Sequence, residues 1–425
     1  MKKIILICFL LVSGISSGAA PLAESDSLSI QADNAESFDP NAATQEYLDM
    51  LTPEQKARSD KYFEGGYRIK LWNFIIELVI AWVFLSLGLS AWINRIAIKA
   101  KGRNLNNLIY IVMYLLFTFL ITFPYSIYTG FIREHKYGLS NMTFPEWLSE
   151  TMIALALLMV FGSMLTMVIY LVLKKKDKQW WIWGSGVVII FMIFGLFISP
   201  VFISPLFNDY KPLEEGPVKK EILSLAKANG VPVNNVYWFD ASKQSTRISA
   251  NVSGFGSTIR ISLNDNLLNK STLAEIKSVM AHELGHYVLN HIYNLLLYLS
   301  LVIIIGFAVV NFIIKRIINR FGKRWGITSI SDITSLPLLV PVFSFYILIA
   351  TPVVNNISRV TESEADIFGL NAAREPDGFA SVSMKLSEYR KINPGRFEEV
   401  IFFDHPSGKT RVMMAMKWKA ENIKK

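Results

Sequence analysis

Ala281-His282-Glu283-Leu284-Gly285-His286, followed by Tyr287-Val288-Leu289-Asn290-His291, is the stretch from which the rest of the chain can be read. Histidines at i and i+4 project from one helix face and can share a tetrahedral zinc ion, while the intervening Glu283 stands where it can take a proton from the metal's water. That chemistry hydrolyses peptide bonds. Histidine is scarce, five in the whole chain, so two at this spacing carry weight. The local setting is helical: Thr272-x-x-Glu275 reads as a capping box, and Leu273, Ile276, Val279, Met280 and Leu284 recur at helical spacing. The bland alternative is an ordinary polar pair on a half-buried helix.

Such a site needs a third protein ligand. His291 lies about 140° further round a helix than His286 and cannot reach the same ion without unwinding, so it reads as a neighbour of the site or a membrane-boundary histidine. The better source is Ser358-Arg359-Val360-Thr361-Glu362-Ser363-Glu364-Ala365-Asp366. Glu362 and Asp366, four apart on a predicted helix, allow one carboxylate to bind metal while the other accepts the free N–H of a ligating histidine. Glu364 points elsewhere and reads as solvated. Taken alone, an acidic run of this kind is a surface face.

Composition sets the wider frame. With 52% hydrophobic and 18% charged residues over 425, the apolar surface exceeds what a soluble core hides, and the chain reads as a membrane protein. The net charge of +9 needs no nucleic acid, because much of the Lys and Arg excess lies in short loops between apolar spans. Residues 1–20, with Lys2, Lys3, an apolar core and small residues at the end, have the layout of a signal peptide; an uncleaved first span is the alternative. Cys8, the only cysteine, lies inside this segment, so a structural disulfide and a thiol nucleophile are both excluded once it is removed. Residues 21–70 are polar, with an amphipathic helix expected around 53–63 and disorder ahead of it.

Four apolar stretches, 71–93, 107–131, 148–173 and 181–207, and two later ones, 292–314 and 333–354, are each long enough to cross a bilayer. The expected fold is therefore mostly α: a polytopic helix bundle of six or seven spans with a zincin-like α+β catalytic part and a small hairpin or sheet. Domain organisation follows as a membrane region over 71–207, a first catalytic segment over 208–291, two spans with a basic loop over 292–354, and a second catalytic segment over 355–425. Within the first catalytic segment a helix is expected over 218–229, strands over 236–239 and 258–262, and a hairpin between them at Gly254 and Gly256. Glu77, nearly alone as a carboxylate inside a span, reads as lining a cavity. That scarcity disfavours a transporter or channel.

Several spaced motifs together resemble the CAAX prenyl protease type of integral-membrane zinc endopeptidases. They are His282-Glu283-Leu284-Gly285-His286, Ser358-Arg359-x-x-Glu362-x-x-Ala365-Asp366, Pro205-Leu206-Phe207-Asn208 leading into Pro212-Leu213, Asn251 ahead of the strand from Thr258, and His405-Pro406-Ser407 with Arg411. The resemblance covers roughly the last half of the chain. It implies Zn²⁺ on His282, His286 and Glu362, a gluzincin set, with Asp366 behind a histidine and Glu283 as base. It also implies His405 as stabiliser of the oxyanion at the reacting carbonyl, Arg411 in the catalytic set binding a carboxylate or holding that histidine, and substrate held near Asn251, Thr258 and Arg260. By residue type alone the His-Pro turn reads as structural, and the strand as a plain hairpin.

The implied substrates are peptides or proteins associated with the bilayer, and CAAX-type processing is the family's chemistry. A quality-control protein that captures misfolded or stalled chains with little catalysis stays open as the alternative. Basic clusters at 95–103, 174–178 and 315–324 fall on one side, with Arg68 and Lys70 dissenting, and by the positive-inside rule that side is cytoplasmic. The expectation is a bacterial inner-membrane protein whose catalytic segments face away from the cytoplasm.

Overall fold

The computed structural model of the protein describes residues 38–176, 178–254 and 259–423. The expected leader over 1–20, with Cys8, and Thr258 lie outside the described residues. Six long apolar helices dominate: α2 (Pro53–Ser86), α3 (Arg103–Lys136), α4 (Phe144–Lys175), α5 (Trp180–Leu206), α8 (His291–Trp325) and α9 (Leu336–Ala373). They follow α1 (Pro40–Asp49) and enclose, in chain order, α6 (Pro217–Ala228) and the metal-motif helix α7 (Leu273–Val288); α10 (Pro376–Leu386) and α11 (Gly408–Asn422) come last. Large apolar side chains such as Ile190, Val160 and Phe202 stand more than 60% exposed on these long helices. Only hydrocarbon can cover such faces, and a helix satisfies its own backbone there.

The bundle holds one apolar core around Phe84, Ile111, Tyr170, Trp180, Val310 and Leu339. A second core, with Ile222, Val236, Ile261, Leu263, Ile276 and Met280, belongs to the part outside the spans. There a four-stranded sheet runs in the order β1 (Tyr210–Pro212), β2 (Val236–Phe239), β4 (Arg260–Asn264), β3 (Ala250–Ser253). β2 and β4 are parallel, and the outer pairs are antiparallel. β3 is an edge strand packed beside α7.

Several expectations need correction. The amphipathic helix over 53–63 is not separate: it continues without a break into the first span as α2, under the capping box of Thr52 and Gln55. That span ends at Ser86 rather than near 93, because Gly88 adopts φ +79° and a short helix Leu89–Ala97 starts afresh. The hairpin joins β3 to β4, so Asn251 is itself in a strand, paired with Ser262. The helix carrying Glu362 is the last span prolonged; it stops at Ala373, where Arg374 takes φ +56°, and α10 is a new helix. The angular argument for His291 assumes one continuous helix, but Asn290 at φ +57° separates α7 from α8. Glu77 sits in α2 with one oxygen buried and unbonded and is absent from the lining of the cavity beside the metal motif.

At 38 residues, α9 is about 57 Å long against a hydrocarbon core of about 30 Å, so its C-terminal third projects beyond the lipid and carries Glu362 and Asp366 with it. Two glycines let it meet α7 closely. A Cβ on Gly369 would lie 3.0 Å from the backbone N of His282, and one on Gly285 3.3 Å from the Ala365 carbonyl oxygen. A side chain at either position would press on the other helix.

Candidate metal centre

α7 is held at its start by the predicted capping box: the Thr272 hydroxyl accepts from Glu275 N–H, and Glu275 accepts from Thr272 N–H at 2.7 Å. From this fixed start, His282 and His286 fall one turn apart toward α9. His282 Nε2 and His286 Nε2 are 3.1 Å apart, Glu362 Oε2 is 3.3 Å from the first, and Glu362 Oε1 is 3.6 Å from the second. A zinc tetrahedron with bonds of about 2.0–2.1 Å has edges of about 3.3 Å, so the three side chains can hold a divalent ion with little movement.

Proton bookkeeping leads to the same conclusion. His282 Nδ1 lies 2.7 Å from Asp366 Oδ1, a close though poorly aligned contact, and that carboxylate only accepts. Arg411 grips the same carboxylate from the other side through Nε, at 2.9 Å from Oδ2, and through Nη2 on Oδ1. Asp366 is fully buried and Arg411 nearly so. With Nδ1 turned to Asp366, His282 can offer Nε2 to a cation once that nitrogen gives up its proton. His286 turns Nδ1 to His291 Nδ1 at 3.0 Å and Nε2 toward His282 and Glu362. Two imidazole Nε2 atoms and a carboxylate thus converge, an arrangement that favours positive charge among them, as a proton or as a cation.

The electrostatics show that demand. Burial opposes charging His282, yet its bonds to Asp366 and Glu362 hold its pKa up at about 9. His286 is pushed down to about 4 by burial and by its charged neighbour His282. Burial raises Glu283 to about 7, which places a carboxylate between acid and base roles near neutrality.

The far wall comes from the chain end. Arg359 donates to the carbonyls of Glu399 and Phe403 at 2.9 and 2.7 Å, and Asn355 to that of Ile401 at 2.7 Å, so α9 itself hangs the loop that bears His405. His405 Nε2 reaches 3.4 Å from Glu362 Oε2, and its Nδ1 is 2.8 Å from Asp404 Oδ1. A cavity of about 340 Å³ opens between these groups and is lined by His282, Glu283, Glu362, His405 and Arg411, with Ser249 and Ala250 at the edge of the sheet.

The structure therefore gathers His282, Glu283, His286, Glu362, Asp366, His405 and Arg411 in one place. Arg411, expected to bind a carboxylate or to hold His405, has its guanidinium engaged by the Asp366 carboxylate. Asn251 stands on β3 but outside the cavity lining, and Arg260 is turned away, donating to the Pro200 carbonyl at 2.9 Å with its guanidinium over Tyr210. Glu364 is not merely solvated; it bonds His291 Nε2 at 3.2 Å. Sequence reasoning missed Arg247, Tyr389 and Arg390, which also line the cavity. Arg247 donates to Glu134 at 2.6 Å and to the Tyr62 hydroxyl at 2.9 Å, tying the ends of α3 and α2 to this wall; no local motif announces such a link.

Comparison with known proteins gives concordant results. Residues 39–209 match the family model described as CAAX prenyl protease N-terminal, five membrane helices, and residues 212–419 match peptidase family M48. The CAAX prenyl protease 1 of Saccharomyces cerevisiae is 30% identical over 309 residues, covering 68% of this chain and 67% of that protein. An uncharacterized metalloprotease of Bacillus subtilis, YhfN, is 28% identical over 375 residues, 87% of each chain. The crystal structure of S. mikatae Ste24p superposes with a TM-score of 0.72 at 23% identity, over 89% of this chain and 94% of that one, and so shares the fold.

Proposed function

The chain belongs to the CAAX prenyl protease family of M48 metallopeptidases, and we propose that within it the protein is a zinc-dependent endopeptidase of gluzincin type acting on membrane-associated or lipidated protein chains. The observation that carries this reading is the convergence of His282 Nε2, His286 Nε2 and the Glu362 carboxylate at separations of 3.1, 3.3 and 3.6 Å. An ion held there supplies Lewis acidity and acidifies water.

The remaining steps fall to the protein's own groups. Glu283 takes the proton of the attacking water and returns it to the amine nitrogen as the C–N bond breaks. His405, held through Nδ1 by Asp404, turns Nε2 toward the oxygen on which charge develops. Arg411 acts through Asp366, whose carboxylate it fixes so that His282 keeps its proton on Nδ1. The free edge of β3, next to Ser249 and Ala250 on the cavity wall, offers main-chain groups to an extended substrate, with Asn251 on that strand. Prenylated CAAX-type chains are the substrate class that the names of the relatives suggest.

The test uses the purified full-length chain in detergent and a farnesylated reporter peptide. One zinc per chain, cleavage abolished by a chelator and restored by zinc, is the expected result. A chain that binds zinc and retains the reporter uncut would instead support a capture factor.

We further propose that the site faces away from the cytoplasm of a bacterial inner membrane, on the basis of the basic segments that follow α2 and that form the C-terminal ends of α4 and α8. Alkaline phosphatase fused after Asn208 should be active in cells and inactive when fused at Lys315. The opposite pattern would reverse the orientation.

A further inference from the structure

We infer that His291 and Glu364 form a relay that positions the His286 imidazole for the cation, an inference that rests on reading His286 as a ligand. His286 Nδ1 lies 3.0 Å from His291 Nδ1, and His291 Nε2 lies 3.2 Å from Glu364 Oε2. A hydrogen bond between two imidazole nitrogens needs one donor and one acceptor. If His286 turns the lone pair of Nε2 toward the cation, its proton sits on Nδ1, and His291 must accept there. His291 then carries its own proton on Nε2, where the Glu364 carboxylate accepts it. In the reverse arrangement the His291 Nε2 lone pair faces a carboxylate, two acceptors with nothing between them. The acidic end of the chain therefore selects the tautomer at the metal end.

The helix break is what makes this possible. On an unbroken helix His291 would sit about 140° away from His286. Asn290 instead adopts φ +57° and ψ +34°, a conformation asparagine tolerates better than most residues, and the chain swings His291 back against His286. His291 ends up 2% exposed, with its ring edge-on to that of His286 at 72°. Glu364 arrives from α9, two residues beyond Glu362. The His286 ring is thus caught between α7, the first residue of α8 and α9. The two ligands are supported differently: His282 by the buried Asp366–Arg411 pair, and His286 through a second imidazole to a carboxylate that is 57% exposed. A role for His291 in packing alone would leave the metal indifferent to Glu364.

The experiment measures zinc affinity of the full-length protein by competition with a chromophoric chelator, alongside the visible spectrum of the cobalt-loaded protein. His291→Ala should weaken zinc binding about 10- to 100-fold and shift the cobalt bands, and Glu364→Ala should weaken it about tenfold. His291→Asn, which keeps an acceptor near the Nδ1 position, should recover most of the loss. Glu364 is surface-exposed, so its alanine variant folds, and it decides the matter alone if His291→Ala does not fold. Affinities of Glu364→Ala and His291→Ala within about twofold of the parent overturn the relay. His286→Ala separates the two claims: if it loses zinc while those variants keep it, only the relay fails, and if it keeps zinc, the ligand assignment itself fails.

Discussion

Glu283→Gln should cut no peptide at a rate above about one part in 10² to 10⁴ of the parent while loading as much zinc. The substitution keeps the shape of the side chain on the cavity wall and touches none of the three groups that converge on the ion position. It removes one thing, a carboxylate that can hold and release a proton. Burial lifts that carboxylate to about 7, which suits a group that accepts a proton from water and then surrenders it to an amine. Zinc content and single-turnover cleavage of the same preparation separate chemistry from folding. Undiminished hydrolysis by Glu283→Gln would remove this residue from the mechanism.

Arg411→Leu should destabilise the part of the protein outside the spans by about 3–5 kcal/mol, the cost of leaving a buried charge without its partner. Asp366 is 0% exposed, accepts from Arg411 Nε at 2.9 Å, and contacts His282 Nδ1 at 2.7 Å on its other oxygen. Solvent cannot replace the guanidinium at that depth. The same change frees the carboxylate that fixes the orientation of His282, so zinc affinity should fall together with stability. Denaturation followed by tryptophan fluorescence, with zinc competition in parallel, reads both. A variant as stable as the parent but with a raised KM would show that Arg411 serves the substrate instead of Asp366.

These two expectations differ in where they could be seen. Glu283 was legible in six consecutive residues, because a helix carries i and i+4 to one face whatever surrounds it. The Arg411–Asp366 pair joins positions 45 apart through the packing of α11 on α9, and the residues alone left Arg411 free to serve either a substrate or the protein. His291 was read as a neighbour of the site, but the angular argument took the helix as continuous and did not foresee its contact with His286. The signal that could have warned of the break is Asn290, a residue able to turn left-handed, immediately before it. The sheet was only half read: β1 and β3, at three and four residues, are too short to show a period of two.

From sequence alone came whatever depends on a few helical turns or on the solvent each segment needs: the long apolar helices, the capping box, the two imidazoles flanking Glu283, and a pair of carboxylates one turn apart. These are consequences of backbone periodicity and of burial in lipid, and they do not wait on the rest of the chain. Tertiary structure decided which carboxylate faces the imidazoles, what holds each imidazole's proton, and that His405 hangs from α9. Those outcomes depend on how closely two helices meet at Gly285 and Gly369 and on the single left-handed residue at 290, contacts whose geometry no local pattern encodes.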